Sequence, residues 1–133
     1  MSNTDTPIVS VVDDDASLRR SLRNLLGSVG LRVETFASAE AFLQSIEHEQ
    51  TGCLVLDLGM PGMDGFALLR HLSDTASGIP VVILTAHGDD EAHRRSLQAG
   101  AVAFLRKPFN GHALLEAVRS ALAQGKAPGI ADG

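Results

Sequence analysis

The chain has no tryptophan, no tyrosine and only one cysteine, Cys53. A lone thiol excludes a disulfide framework and suits a reducing, cytosolic setting. Without Trp or Tyr, the usual stacking residues of a flavin carrier are missing. Positive charge is also short: 11 Lys and Arg against 16 Asp and Glu leave a net charge of −5. A nucleic-acid surface would instead cluster Lys and Arg. No apolar run approaches the ~20 residues that a membrane span needs. The opening stretch, Met1 to Pro7, is polar and lacks the basic-then-apolar layout of a secretory signal. There is no internal repeat. What is present is 133 residues, 44% hydrophobic and 20% charged, enough for one domain with its own core.

Four apolar runs stand out, Ile8–Val12, Cys53–Leu56, Pro80–Leu84 and Ala101–Leu105, with a weaker one at Val33–Phe36. The first, third and fourth of these five in chain order are rich in Val, Ile and Leu without polar alternation. Such runs read as strands buried on both faces, the habit of parallel sheets. Between them lie stretches of helical spacing. From Ala16 to Val29, leucines at 18, 22, 25 and 26 and Val29 recur at threes and fours, with Arg19, Arg20 and Arg23 on the other side. Ala39 to Ile46, Gly65 to Leu72, Asp90 to Ala99 and Ala113 to Leu122 behave alike. Ser38 is placed to cap the second helix, and Gly30 and Gly100 to close the first and fourth. The alternation of strand and helix predicts a doubly wound α/β domain with a five-stranded parallel sheet covered on both faces. Gln124 to Gly133 offers little to bury and reads as a flexible tail or the start of a linker, leaving residues 1–123 as the domain.

In such folds ligands bind beyond the carboxyl ends of the strands. Asp13, Asp14 and Asp15 follow the first strand, Asp57 the third, Thr85 the fourth and Lys107 the fifth. If the first and third strands are neighbours, Asp13, Asp14 and Asp57 crowd together. Two carboxylates about 4 Å apart repel by ~4 kcal/mol at an effective dielectric of 20. Lys107 alone does not balance three acids, and a hard divalent cation such as Mg²⁺ would. With the charge met, Asp57 is a carboxylate able to attack a phosphoryl group, with Lys107 and Thr85 against the transferring oxygens. Read singly, each residue has a plainer role: an aspartate run capping a helix, a solvated lysine, a strand-end hydroxyl. Asp15 is assigned that plainer role, as cap or surface. Cys53 reads as a small buried hydrophobe, and the five histidines as surface residues without metal-ligand spacing. Gly59, Gly62 and Gly65 match neither common phosphate-loop spacing.

Taken together, Val11-Val12-Asp13-Asp14, Leu56-Asp57 with Met60-Pro61 and Asp64-Gly65, Leu84-Thr85-Ala86, Gly100-Ala101 and Lys107-Pro108-Phe109 resemble the response-regulator receiver domain of two-component systems. The resemblance runs from about Ile8 to Leu122. Ser38-Ala39-Glu40-Ala41-Phe42-Leu43 and Thr85-Ala86-His87-Gly88-Asp89 are similar to its FixJ-like branch, whose members usually carry a helix-turn-helix domain after the receiver. It implies a flavodoxin-like sheet of order 2-1-3-4-5 with five helices, and a phosphorelay role in which Asp57 accepts phosphate from a sensor histidine kinase. It further implies Mg²⁺ held by Asp14, Asp57 and the Gly59 backbone carbonyl, with Asp13 acting through water. Lys107 would contact the phosphoryl group, Thr85 would move to meet it, and Phe104 would rotate inward, altering the surface formed by the fourth helix, fifth strand and fifth helix. That surface is the family's site of dimerisation on phosphorylation. The Lys107-Pro108 bond is cis in the family.

The resulting expectation is a cytoplasmic switch that catalyses its own phosphorylation and dephosphorylation, rather than an enzyme with a diffusible product. It has no nucleic-acid or membrane contact of its own, and its output is expected to be transcription through a domain beyond this chain. Gly59 and His87 depart from commoner family choices at positions that influence phosphate lifetime, and Phe104 replaces a tyrosine. Three alternatives are a Mg²⁺-dependent phosphohydrolase, a flavin carrier and a receiver that works by binding alone. The first would want a second acid where Gly59 stands, and a cap over its substrate.

Overall fold

A computed structural model describes residues 7–45, 51–58, 65–74, 78–85 and 90–132. Five strands, β1 (Ile8–Val12), β2 (Arg32–Phe36), β3 (Thr51–Asp57), β4 (Val81–Thr85) and β5 (Ala101–Arg106), form one parallel sheet in the order β2-β1-β3-β4-β5. Helices α1 (Ala16–Gly27), α2 (Ala39–Gln44), α3 (Gly65–Asp74), α4 (Asp90–Gln98) and α5 (Gly111–Asp132) alternate with them. The three unbroken apolar runs become β1, β3 and β4, the interior strands. The half-buried β2 and β5 are the edges.

Alternate side chains of a strand point to opposite faces, so each interior strand feeds two cores. On one face Val9, Val11, Val55 and Leu84 pack against Leu22 and Leu26 of α1 and Leu114 and Val118 of α5. On the other, Val12, Leu56 and Ile83 meet Phe42 of α2 and Leu68 and Leu72 of α3, with Phe36 and Phe42 edge to face at 5.6 Å. Cys53 is buried in the first of these cores, and burial pushes its thiol up to about 12, so it behaves as a hydrophobe.

Register deserves more than topology. Ser10 and Thr51 share a buried hydroxyl–hydroxyl hydrogen bond of 2.7 Å between β1 and β3. Each satisfies the other, which removes the penalty for burying a lone hydroxyl in an apolar sheet. Ile8 pairs with Thr51 but Val9 with Cys53, so β3 carries one extra residue, Gly52, at this point. A Cβ at Gly52 would stand 2.5 Å from Pro7 Cβ and 3.1 Å from Leu122 Cδ2. The bulge is therefore a place for glycine alone.

Several boundaries differ from the sequence reading, and those of α1, α2 and α5 bear on packing. α1 stops at Gly27, where the Ser28 N–H bonds the Asn24 carbonyl and Ser28 Oγ the Leu25 carbonyl. Val29 thus lies beyond the helix and is 39% exposed instead of completing its apolar face, and Gly30 (φ +89°) turns the chain. α2 ends at Gln44 with Ser45 as its cap, and Ile46, the expected end, lies outside the described residues. α5 continues through Asp132, where the sequence suggests a loose tail from Gln124; up to Ala123, the last residue whose burial is described, its buried residues are Leu114, Val118 and Ala121.

Leu114 is fully buried between α5 and the sheet, whereas Leu97 is 47% exposed. Leu114→Ala should lower the unfolding free energy by about 2–5 kcal/mol, and Leu97→Ala by less than about 0.5 kcal/mol. Chemical denaturation of the two variants checks both values, and equal losses would contradict this core assignment.

Candidate functional site

The site grows from strand ends. Val12 pairs with Leu56, Asp57 with Leu84 and Thr85 with Arg106. Each chain therefore delivers its next polar residue to the same edge: Asp13 beside Asp57, and Lys107 beside Thr85. Crossing bonds fix the levels. The Leu58 N–H donates to the Leu84 carbonyl at 3.1 Å and the Lys107 N–H to the Thr85 carbonyl at 2.8 Å. The Lys107-Pro108 peptide bond is cis. α5 begins directly afterwards, with Asn110 Oδ1 accepting from the His112 N–H at 2.7 Å.

Carboxylate oxygens of Asp13, Asp14 and Asp57 lie within 4.8 Å of one another. Asp13 and Asp57 are buried, at 1% and 6% exposure, and Asp14 faces solvent. Lys107 stands between the two buried acids, its Nζ 3.1 Å from Asp13 Oδ2 and 3.6 Å from Asp57 Oδ1. Burial is the largest influence on that ammonium and pulls its pKa down. The hydrogen bond and charge of Asp13, and then Asp57, together outweigh it, and the lysine ends above its ordinary value. Three acids against one ammonium leave the cluster short of positive charge, with Asp13 and Asp57 out of water and Asp14 at its edge. The donor set, all hard oxygen with one exposed carboxylate open to solvent, fits a divalent cation such as Mg²⁺.

Asp13 itself is held at four points. Its N–H donates to the Phe36 carbonyl at 3.1 Å, and its carbonyl accepts from Arg19 Nη1 at 2.7 Å. Oδ1 accepts from the Asp15 N–H at 2.9 Å, and Oδ2 takes the lysine. Asp15 caps α1, accepting from the N–H groups of Ser17 and Leu18. It stands apart from the acidic pocket, in the plain role expected of it. Ser38 caps α2 in the same way, at the Ala41 N–H.

Thr85 is buried at the end of β4. Phe104 pairs with Ile83, and Thr85 lies two residues further along the same face. Thr85 and Phe104 are thus diagonal neighbours on adjacent strands. Phe104 is half-buried against the core, with the His93 ring stacked on it at 4.7 Å and 12°, and Arg106 Cζ at 5.8 Å from its centroid. His93 is therefore partly buried rather than a free surface residue, whereas His71 and His112 are exposed. Gly59, His48 and His87 lie outside the described residues. Sequence reasoning placed Arg19 on the solvent side of α1 and missed its reach back to Asp13; its spacing, one turn after a helix cap, carries no such signal.

The ion pairs of Lys107 link stability to pH. A lysine whose folded pKa is raised stabilises fully below its unfolded value, ~10.4, and that contribution is lost as pH rises through the folded value. In metal-free buffer, the stability of the protein should fall on the alkaline side of pH ~10.4, and Lys107→Met should flatten that limb while lowering stability at neutral pH. Denaturant midpoints across pH 8–12 check this, and an unchanged alkaline limb would count against the pairing.

Residues 9–119 match the response regulator receiver domain family. Nodulation protein W of Bradyrhizobium diazoefficiens is 47% identical over 114 residues, 86% of this chain and 50% of that protein. The solved response regulator StyR superimposes with a TM-score of 0.87 at 49% identity, covering 96% of this chain and 64% of StyR. The FixJ-N structure does so with a TM-score of 0.80 at 40% identity, covering 87% of this chain and 93% of FixJ-N. The chain spans about half the length of the curated relatives it matches. On the fold, the clustered strand-end acids and these likenesses, the chain belongs to the response regulator receiver domain family, in the company of FixJ-like regulators.

Proposed function

We propose that Asp57 is the phosphoacceptor of this receiver and that a sensor histidine kinase is its donor. The observation that supports this most directly is the buried Asp57 carboxylate set beside two further acids and the Lys107 ammonium. In the reaction an Asp57 oxygen bonds to phosphorus as the phosphorus–nitrogen bond of a phosphohistidine breaks, and the imidazole leaves with the electron pair and takes up a proton. Later attack by water on the acyl phosphate releases inorganic phosphate and restores the carboxylate. The chain is thus its own substrate and a switch, without a diffusible product beyond that phosphate.

Asp14 and Asp57 would hold Mg²⁺ together with the backbone carbonyl of Gly59. Both oxygens of Asp13 are already engaged, by Asp15 and Lys107, which supports an indirect role for it through water. Bound there, the cation supplies charge neutralisation to the carboxylates and to the incoming phosphoryl oxygens. Lys107 sits close enough to Asp57 to move its hydrogen bond from the carboxylates to a phosphoryl oxygen. Thr85, at the end of the neighbouring strand, offers its hydroxyl to another.

Phe104, diagonal to Thr85, would carry the change to the surface of α4, β5 and α5, shifting a two-state equilibrium there. That surface would dimerise on phosphorylation and signal to an output domain beyond these residues, a helix-turn-helix controlling transcription. Regulators with this role act in the cytoplasm, and among the described residues no helix is long and apolar enough to cross a membrane. The domain itself, residues 1–123, needs no nucleic-acid contact for this role.

Incubation with a small phosphodonor and Mg²⁺ should add one base-labile phosphoryl group to the protein, and Asp57→Asn should abolish it. Intact and peptide mass spectrometry read this directly. Undiminished incorporation in that variant at another residue would overturn the assignment.

A further inference from the structure

Among the described residues, Arg19 reaches the acidic pocket without a role in the phosphoryl chemistry. Its Nη1 donates at 2.7 Å to the carbonyl oxygen of Asp13, in a partly buried setting. That oxygen belongs to the peptide joining Asp13 to Asp14. A peptide is planar, so holding its oxygen also orients the amide and Cα of Asp14. The Asp13 side chain is fixed separately, by Asp15 and Lys107. Asp14 is exposed, and its carboxylate completes the acidic cluster. Only Asp13, Asp14 and Asp15 separate β1 from α1, so little chain is available to absorb a rotation of that peptide.

We propose that Arg19 is a positioning residue for the acidic pocket, setting its affinity for a divalent cation by clamping the Asp13–Asp14 peptide. The proposal rests on the reading that these acids hold Mg²⁺. Two effects of Arg19 on that affinity oppose each other. Its positive charge repels a cation, and its hydrogen bond prearranges the acids that receive one. Arg19 is partly buried beside Asp13, so salt screens its repulsion of a cation only in part. Loss of a partner that orients a metal ligand typically weakens binding ~10–100-fold. The proposal gives position the larger effect, and the two mechanisms predict opposite signs when the arginine is removed.

The test is Mg²⁺ affinity, read by calorimetry or by amide shifts in a metal titration, so that no phosphotransfer is needed. Arg19→Met keeps the alkyl stem and removes every donor; its Kd for Mg²⁺ should rise about tenfold. Arg19→Lys restores a donor and should recover part of that loss. Arg20→Met, on the exposed neighbouring arginine, removes the same charge and should leave Kd unchanged or slightly lower. An unchanged or tighter Kd in Arg19→Met, or no recovery in Arg19→Lys, overturns the proposal. Should the methionine variant not fold, Arg19→Gln, whose amide is too short to make the same reach, repeats the test with the same criteria. Absence of Mg²⁺ binding in the unaltered protein would instead overturn the reading of the pocket, and this inference with it.

Discussion

Mutual repulsion among Asp13, Asp14 and Asp57 is the constraint that organises this end of the sheet. Two of the three are buried, where charge is poorly solvated, and their carboxylate oxygens stand within 4.8 Å of one another. The fold answers with Lys107, carried in from the far edge strand, and with the Asp15 N–H turned toward Asp13. The answer is incomplete. A pocket of hard oxygen donors left short of positive charge stays receptive to a divalent cation. The same charge shortage explains why the lysine is held above its ordinary pKa although burial works against it.

The strands that were easiest to read are the ones that carry the acids. β1, β3 and β4 lie inside the sheet, so both faces are buried and their sequences are rich in Val, Ile and Leu, with Ser10 and Thr51 as a self-satisfied polar pair. A polar residue directly after such a run has nowhere to go but the strand end, which is why Asp13, Asp57 and Thr85 were visible. Edge strand β2, with Glu34 and Thr35 facing partly outward, carried a weaker signal. Short-range chemistry was legible too, in the Asp15 and Ser38 caps. What stayed hidden depends on contacts between elements. Val29 continues the heptad-like spacing but falls past a chain reversal that the Ser28 hydroxyl helps to set. His93 becomes a stacking partner only because α4 lies over β5 at Phe104. Arg19 has the same sequence neighbourhood as Arg20, yet only one of them is given a bond to the Asp13 carbonyl.

The pocket and the outer surface are close in mechanical terms. Thr85 and Phe104 share one face of β4 and β5, and the His93 ring joins Phe104 to α4. One hydroxyl, one phenyl ring and one imidazole lie in succession between the strand ends and α4. Aromatic stacking of this kind contributes ~0.5–1.5 kcal/mol, enough to bias a balanced pair of side-chain positions without locking it.

The bulge at Gly52 has a bearing on all of this from the opposite rim of the sheet. Side chains along a strand alternate with a period of two, so a parallel sheet behaves like a pair of toothed rulers laid edge to edge. Ile8 faces Thr51 below the bulge and Val9 faces Cys53 above it, which advances β3 by one tooth. Without that step, every later residue of β3 would present its other face, and Asp57 would be out of phase with Asp13. Only glycine leaves room for it, because Pro7 and Leu122 close in on both sides. The phase of the acidic pocket is thus set five residues upstream of Asp57, roughly 16 Å away at ~3.3 Å per residue, by a residue that carries no functional group at all.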